Sequence, residues 1–283
     1  MKPAIIAVVN GKGGCGKTSC VSNLAVIWST QARRVLALDL DAQGNLAVDL
    51  GVEDTDAGLA LSLAIQGGAP VTPIPDVRPG LDFVAGGART DQLAAALAAQ
   101  AHREPGAAIR DVVDTLHTLA SAYELTVIDT APAGGLLEDA ALVAADWILV
   151  PTKPDDKSLL GLSRVSDRLG ALQRQGLSTG ALVGVVLFGI SSAATRIRAQ
   201  ARRDLLEAFG HQPVVFDTII RASERGAIDQ SRDGVVALEY AHAARDTRRF
   251  AAAAYTLADD YRALADEILE RIGHHVTAPD PTG

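Results

Sequence analysis

Gly11, Gly16, Lys17 and Thr18 fall in the order Gly-x4-Gly-Lys-Thr, a spacing suited to holding phosphate. Glycines let backbone N–H groups turn inward around phosphate oxygens, and a helix that starts there aims its positive end at the same point. In such a loop Lys17 reaches the β- and γ-phosphates, and the Thr18 hydroxyl binds Mg²⁺. Two carboxylates elsewhere have matching chemistry. Asp41 ends the run Val35-Leu36-Ala37-Leu38-Asp39-Leu40-Asp41, and Asp129 ends Leu125-Thr126-Val127-Ile128-Asp129. Each follows an apolar, β-favouring run, which places an acid at the carboxyl end of a strand, where open parallel sheets bind ligands.

These groups work together only if the surrounding elements bring them together. Ile5 to Val9 is an apolar strand leading straight into the loop, and Val21, Leu24, Ala25 and Trp28 give the following segment a helical apolar face. The pattern predicts an α/β protein: a mostly parallel sheet with helices on both faces and the nucleotide at the carboxyl ends of its strands. Further expected elements are helices near 57–66, 90–101 and 106–121, and a strand at 81–84. Strands are also expected at 147–151, 182–187 and 213–216, with helices over 195–209 and 248–272. Gly67-Gly68, the prolines at 70, 73 and 75, and Pro79-Gly80 read as turns.

Length and charge narrow the field. The 283 residues are 48% hydrophobic with a formal charge of −8, enough for one large core and no global case for nucleic acid. A single domain over 1–272 and a disordered tail over 273–283 are expected. Locally the balance changes: between Ser191 and Phe250 ten arginines face eight acids. The two cysteines, Cys15 and Cys20, form no disulfide framework and no metal spacing. The start does not read as a signal peptide, and no apolar run approaches a membrane span. A cytoplasmic protein is expected.

A second lysine opens the loop, and with it a family resemblance. Lys12-Gly13-Gly14-Cys15-Gly16-Lys17-Thr18 resembles the deviant Walker A motif of the ParA/Soj and MinD ATPases, and the likeness extends from about Ala4 to Leu269. The resemblance implies a P-loop NTPase fold of that type. It assigns nucleotide binding to Gly11, Lys12, Gly13, Gly14, Cys15, Gly16, Lys17, Thr18 and Ser19. It implies that Lys12 reaches the partner's nucleotide in an ATP-held homodimer. Asp39-Leu40-Asp41-Ala42-Gln43-Gly44-Asn45 is similar to the family's switch I, which implies a place for Asp41 near the attacking water and Mg²⁺, with Asp39 supporting the loop. Asp129 would hold a metal-bound water. Lys12, Lys17 and Asp41 are thus the implied catalytic residues, and Thr18, Asp41 and Asp129 the implied metal set. Ala42 and Ala131 stand where the family usually has proline.

Thr152-Lys153-Pro154-Asp155 fits the guanine-reading pattern of many GTPases. It follows the first strand after Asp129, whereas related GTPases carry that motif after the second, so ATP is the expected nucleotide. Thr218-Ile219-Ile220-Arg221-Ala222-Ser223-Glu224-Arg225 resembles a family segment that lies near the adenine and helps to bind DNA without sequence preference. Arg221 replaces a proline there. With Arg196 and Arg198, Arg225 is a candidate for phosphate contacts, which carry affinity rather than sequence information.

The expected role is therefore that of a ParA-like ATPase. It would form an ATP- and Mg²⁺-dependent dimer on non-specific DNA, associated with the nucleoid, and drive plasmid or chromosome partition. Its slow hydrolysis would be stimulated by a ParB-like partner. The alternative is positioning of a protein cargo, such as a microcompartment or chemoreceptor array, through a cargo adaptor. A MinD-like membrane cycle is less favoured, because the last helix carries Asp259, Asp260, Asp266, Glu267 and Glu270 against Arg262 and Arg271, the wrong sign for anionic lipid. An iron–sulfur reductase would need cluster cysteines after the Asp129 region, which are absent.

Overall fold

The computed structural model describes residues 3–104, 106–132, 134–191, 194–208, 214–222, 232–244 and 251–277. Its described strands form one eight-stranded sheet. They are β1 (Ala4–Val8), β2 (Val35–Asp39), β3 (Ile74–Arg78), β4 (Leu81–Val84), β5 (Leu125–Asp129), β6 (Trp147–Thr152), β7 (Ala181–Ile190) and β8 (Val215–Arg221). Their order is β3-β4-β2-β5-β1-β6-β7-β8. Every pairing is parallel except the β3–β4 edge. The expected mostly parallel architecture is what forms.

The central strands are buried because helices cover both faces; β1, β2 and β5 are buried throughout and apolar except at Asp39, Thr126 and Asp129. On one face lie α1 (Lys17–Thr30), α9 (Ala237–Ala244) and α10 (Ala251–Thr277). Their core joins Leu24 and Trp28 to Leu257, Tyr261, Leu264 and Ile268. Trp28 Nε1 donates to the Ala265 carbonyl at 3.4 Å. On the other face lie α3 (Leu59–Gly67), α4 (Ala88–Ala101), α5 (Ala107–Ala120), α6 (Leu136–Ala144), α7 (Asp156–Arg174) and α8 (Thr195–Ala208). The short α2 (Asn45–Asp49) follows β2.

Three expectations need correction. The proline-rich stretch that reads as turns contains β3, with Pro75 inside it; proline is tolerated there because β3 is an edge strand. The strand expected over 213–216 is β8, which begins at Val215 among the described residues and continues to Arg221, pairing Ile219 with Leu187 and Ile220 with Phe188. Thr218-Ile219-Ile220 is β-branched throughout, a local preference that carries the strand past residue 216. The last helix continues to Thr277, past the boundary at 272 where a tail was expected.

Candidate nucleotide site

β1 delivers the chain into the loop from the middle of the sheet, and two hydrogen bonds fix its exit. The fully buried Asn10 donates from Nδ2 to the Pro151 carbonyl at 2.8 Å. Its Oδ1 accepts from the Lys12 N–H at 3.0 Å. On α7, Gly161 leaves the room: a Cβ there would lie 2.5 Å from Asn10 Oδ1. Gly14 and Gly16 take φ values of 70° and 88°, conformations that favour glycine. Gly16 precedes α1 without a side-chain cap, so the amides at the helix start face the loop as an anion site. Gly11 and Gly13 lie in the turn itself, and Ser19 lies in the first turn of α1, its carbonyl held by Asn23 Nδ2 at 2.8 Å.

Lys17 is only 7% exposed. Its Nζ folds back onto the loop, donating to the carbonyls of Asn10 at 3.2 Å and Lys12 at 3.3 Å. Burial lowers its pKa, opposed by Asp129, Cys15, Asp41 and Glu138. A buried ammonium with weak carbonyl partners and acids nearby suits an incoming polyanion.

The acids converge as the strand ends predict. Thr18 Oγ1 donates to Asp129 Oδ2 at 2.6 Å, so two of the expected metal groups already touch. Asp129 Oδ1 accepts the Thr130 N–H at 3.0 Å. Asp39 and Asp129 are register partners across β2 and β5, and both are almost fully buried. Burial raises the pKa of Asp129 to about 7. Asp39 is also held well above the carboxylate range, by burial first and then by Asp129. Asp39 Oδ1 accepts the Asp41 N–H at 2.8 Å, the loop-supporting role expected of it, while Oδ2 is buried without a partner. Asp41 is 8% exposed and accepts the Gln43 N–H at 3.0 Å. Among the described residues no three acidic, histidine or cysteine side chains close on one point as a ready-made metal cage. The Thr18 hydroxyl, Asp129 and the orphaned Asp39 oxygen nevertheless suit a divalent cation that brings water and phosphate ligands of its own.

Sequence reasoning missed several contributors. Gly86 lies where a Cβ would come within 2.8 Å of Asp39 Cγ and the Asp41 carbonyl, and the Gly87 N–H donates to that carbonyl at 3.0 Å. The Gly-Gly pair after β4 was the available signal. Lys12 Nζ is bound to both Asp155 carboxylate oxygens, at 2.8 and 2.9 Å. The acid of the guanine-like motif therefore serves the second lysine. Cys15 and Cys20 are fully buried.

The arginines are dispersed. Arg196 and Arg198 are exposed on the first turns of α8, where residues 195–200 are all exposed. Arg221, at the end of β8, is clasped to the buried Asp260 of α10, with Nε 2.8 Å from Oδ2. Arg225 lies outside the described residues. Arg198, Arg221 and the hydroxyl residues Thr195 and Thr218 line a cavity of about 300 Å³.

The sheet order, the glycine loop on a central strand and the acids beside it define a P-loop nucleotide-binding protein. The comparisons agree. An AAA domain family model matches residues 3–179. The chromosome partitioning protein ParA of Myxococcus xanthus is 30% identical over 223 residues, 78% of this chain and 76% of that protein. Sporulation initiation inhibitor protein Soj of Bacillus subtilis is 30% identical over 226 residues, 78% of this chain and 85% of its own. Among solved structures, apo McdA of Cyanothece superposes with a TM-score of 0.77 at 21% identity, covering 95% of this chain and 99% of that one. The cell division ATPase MinD of Pyrococcus furiosus gives 0.70 at 23% identity, with 95% and 99% covered. The chain belongs to this AAA-domain family and to the ParA/Soj kind of ATPase by kinship, and it shares the fold of MinD.

Proposed function

We propose that the protein is a ParA-like ATPase that dimerises with ATP and Mg²⁺ on non-specific DNA and drives plasmid or chromosome partition. The observation that carries the nucleotide half is the convergence of Lys17, Thr18, Asp129 and Asp41 at the ends of three strands that lie side by side in the sheet. Lys17 would meet the β- and γ-phosphates, and Thr18, Asp129 and Asp41 would hold Mg²⁺ directly or through water. When bound, the metal offsets charge on the phosphates. Asp41 orients the attacking water, and Asp39 fixes Asp41 through its backbone N–H. Lys12, released from Asp155, serves the partner's nucleotide.

The DNA half rests on α8. Its exposed opening turns carry Arg196 and Arg198, and a dimer presents both copies, so modest contacts add. A chain of charge −8 can still bind DNA through a local basic surface, since salt screens the distant acids beyond about 8 Å. The apolar side of α10 is buried in the core, which opposes a membrane-lying role for that helix, and no helix among the described residues is long and apolar enough to cross a membrane. The ParB-like stimulator, or in the alternative a cargo adaptor, would act on the same ATPase.

Fluorescence anisotropy with two unrelated duplexes, with ATP, with ADP and without nucleotide, tests the proposal. Binding only with ATP, equal for both duplexes and weakening as salt rises, is the expected result. Equal binding in all nucleotide states, or none with ATP at low salt, would reject the DNA role and leave a nucleotide switch with a protein partner.

A further inference from the structure

The chain has five phenylalanines. Phe83 and Phe216 are core residues, both fully buried. Phe188 is half-buried near the carboxyl end of β7, at the rim of the α1-side core it packs against and at the end of the sheet where the phosphate loop lies. Its ring reaches that loop. A methyl group added at Gly16 would run into Cε2, Cζ and Cδ2 of Phe188. The ring edge thus rests against the residue just before Lys17, at the start of α1.

The placement of charge says which part of a nucleotide would come here. Asp39, Asp41 and Asp129 lie on the β5 and β2 side of β1, whereas β6 and β7 lie on the other. The metal and the terminal phosphates belong with the acids. A nucleoside attached to the same phosphates must then leave towards β6 and β7. There the surface is of a different kind. Phe188 is followed by Gly189, whose φ is +71°, and the stem of Lys153 passes 3.6 Å from where a Gly189 side chain would begin. An aromatic ring, a residue without a side chain and a lysine stem, all half-buried, are groups of the kind that a base can cover.

We propose that Phe188 forms the base-side wall of the nucleotide site and supports the purine of a nucleotide held by the phosphate loop. This rests on the nucleotide reading above and adds a specificity residue to it. The role of Phe188 is binding of the nucleoside. It takes no part in phosphate chemistry.

Calorimetric titration with Mg²⁺–ATP and, separately, with inorganic tripolyphosphate tests it. Tripolyphosphate probes the loop without a base. Phe188→Ala is expected to weaken ATP by at least about fivefold and to leave tripolyphosphate unchanged. Phe188→Leu, which keeps apolar bulk without the π face, is expected to stay as weak as the alanine variant. Unchanged ATP affinity in Phe188→Ala overturns the inference. Equal loss of both ligands also overturns it, since the ring would then merely brace Gly16, and so does full recovery in Phe188→Leu. If the parent protein binds neither ligand, the nucleotide reading itself fails and takes this inference with it.

Discussion

Lys12 and Asp155 are 143 residues apart in sequence, yet Lys12 Nζ lies 2.8 Å from Asp155 Oδ1. The pair ties the opening of the phosphate loop to the turn between β6 and α7. Both side chains keep substantial exposure, 31% and 43%, so the contact is weak enough to exchange for another anion.

That exchange is testable. If Lys12 serves a partner's nucleotide, Asp155 competes for it in the monomer, and Asp155→Ala should favour the ATP-dependent dimer by up to about fivefold. Lys12→Ala should keep monomer nucleotide binding but fail to dimerise. Light scattering over a range of protein concentrations distinguishes these outcomes. A Lys12→Ala protein that dimerises normally would make Lys12 an ordinary surface lysine.

Lys17 has no such freedom. It is buried on loop carbonyls beside the acids, so Lys17→Ala removes the chief counter-charge to a polyphosphate. ATP affinity should fall by about tenfold or more. Equilibrium dialysis measures this, and parallel phosphate release should show turnover lost as well. Parent-like values in both would remove the phosphate-loop assignment.

Glu138, in the first turn of α6, is 8% exposed, with Oε2 buried and without a partner. Burial is the main cause of its raised pKa, followed by Asp139; Lys17, the Gly134 N–H and Arg168 oppose the rise. A carboxyl with a raised folded pKa contributes stability that is fully present below its unfolded pKa and is lost as pH rises through the folded value. Glu138→Gln removes that loss. The variant should therefore unfold at a higher temperature than the parent at pH 8, and the difference should vanish near pH 4. A difference that is constant across pH would assign the effect to packing.

Arg221 and Asp260 form the other notable pair. Asp260 is 7% exposed and accepts from the Arg221 side chain and, at 3.0 Å, from its backbone N–H. Arg221→Ala leaves that carboxylate with the backbone donor only. A loss of about 1–3 kcal/mol is expected, read by urea unfolding. A midpoint equal to the parent's would show that water replaces the guanidinium without cost.

The loop and its acids were legible because each is a local pattern: glycines at fixed offsets, and apolar runs that end in Asp41 and Asp129. Strand ends in a parallel sheet meet at one edge, so local reading was enough to bring distant residues together. What escaped was pairing between unlike segments. Nothing near Asp155 signals Lys12, and nothing near Asn10 signals Pro151 or Gly161. β8 extends beyond the expected 216 because Thr218, Ile219 and Ile220 are β-branched and β7 lies beside them to pair with.

The packing of α10 also bears on how the protein is made. The phosphate loop and α1 leave the ribosome well before α10, but one side of α1 is covered by Leu257, Tyr261, Leu264 and Ile268, and Trp28 bonds to Ala265. Until those late residues emerge, the nascent chain carries an open apolar surface on its central sheet. Synthesis at about 5–20 residues per second leaves it so for ten seconds or more. During that interval the growing polypeptide is a natural client for chaperones.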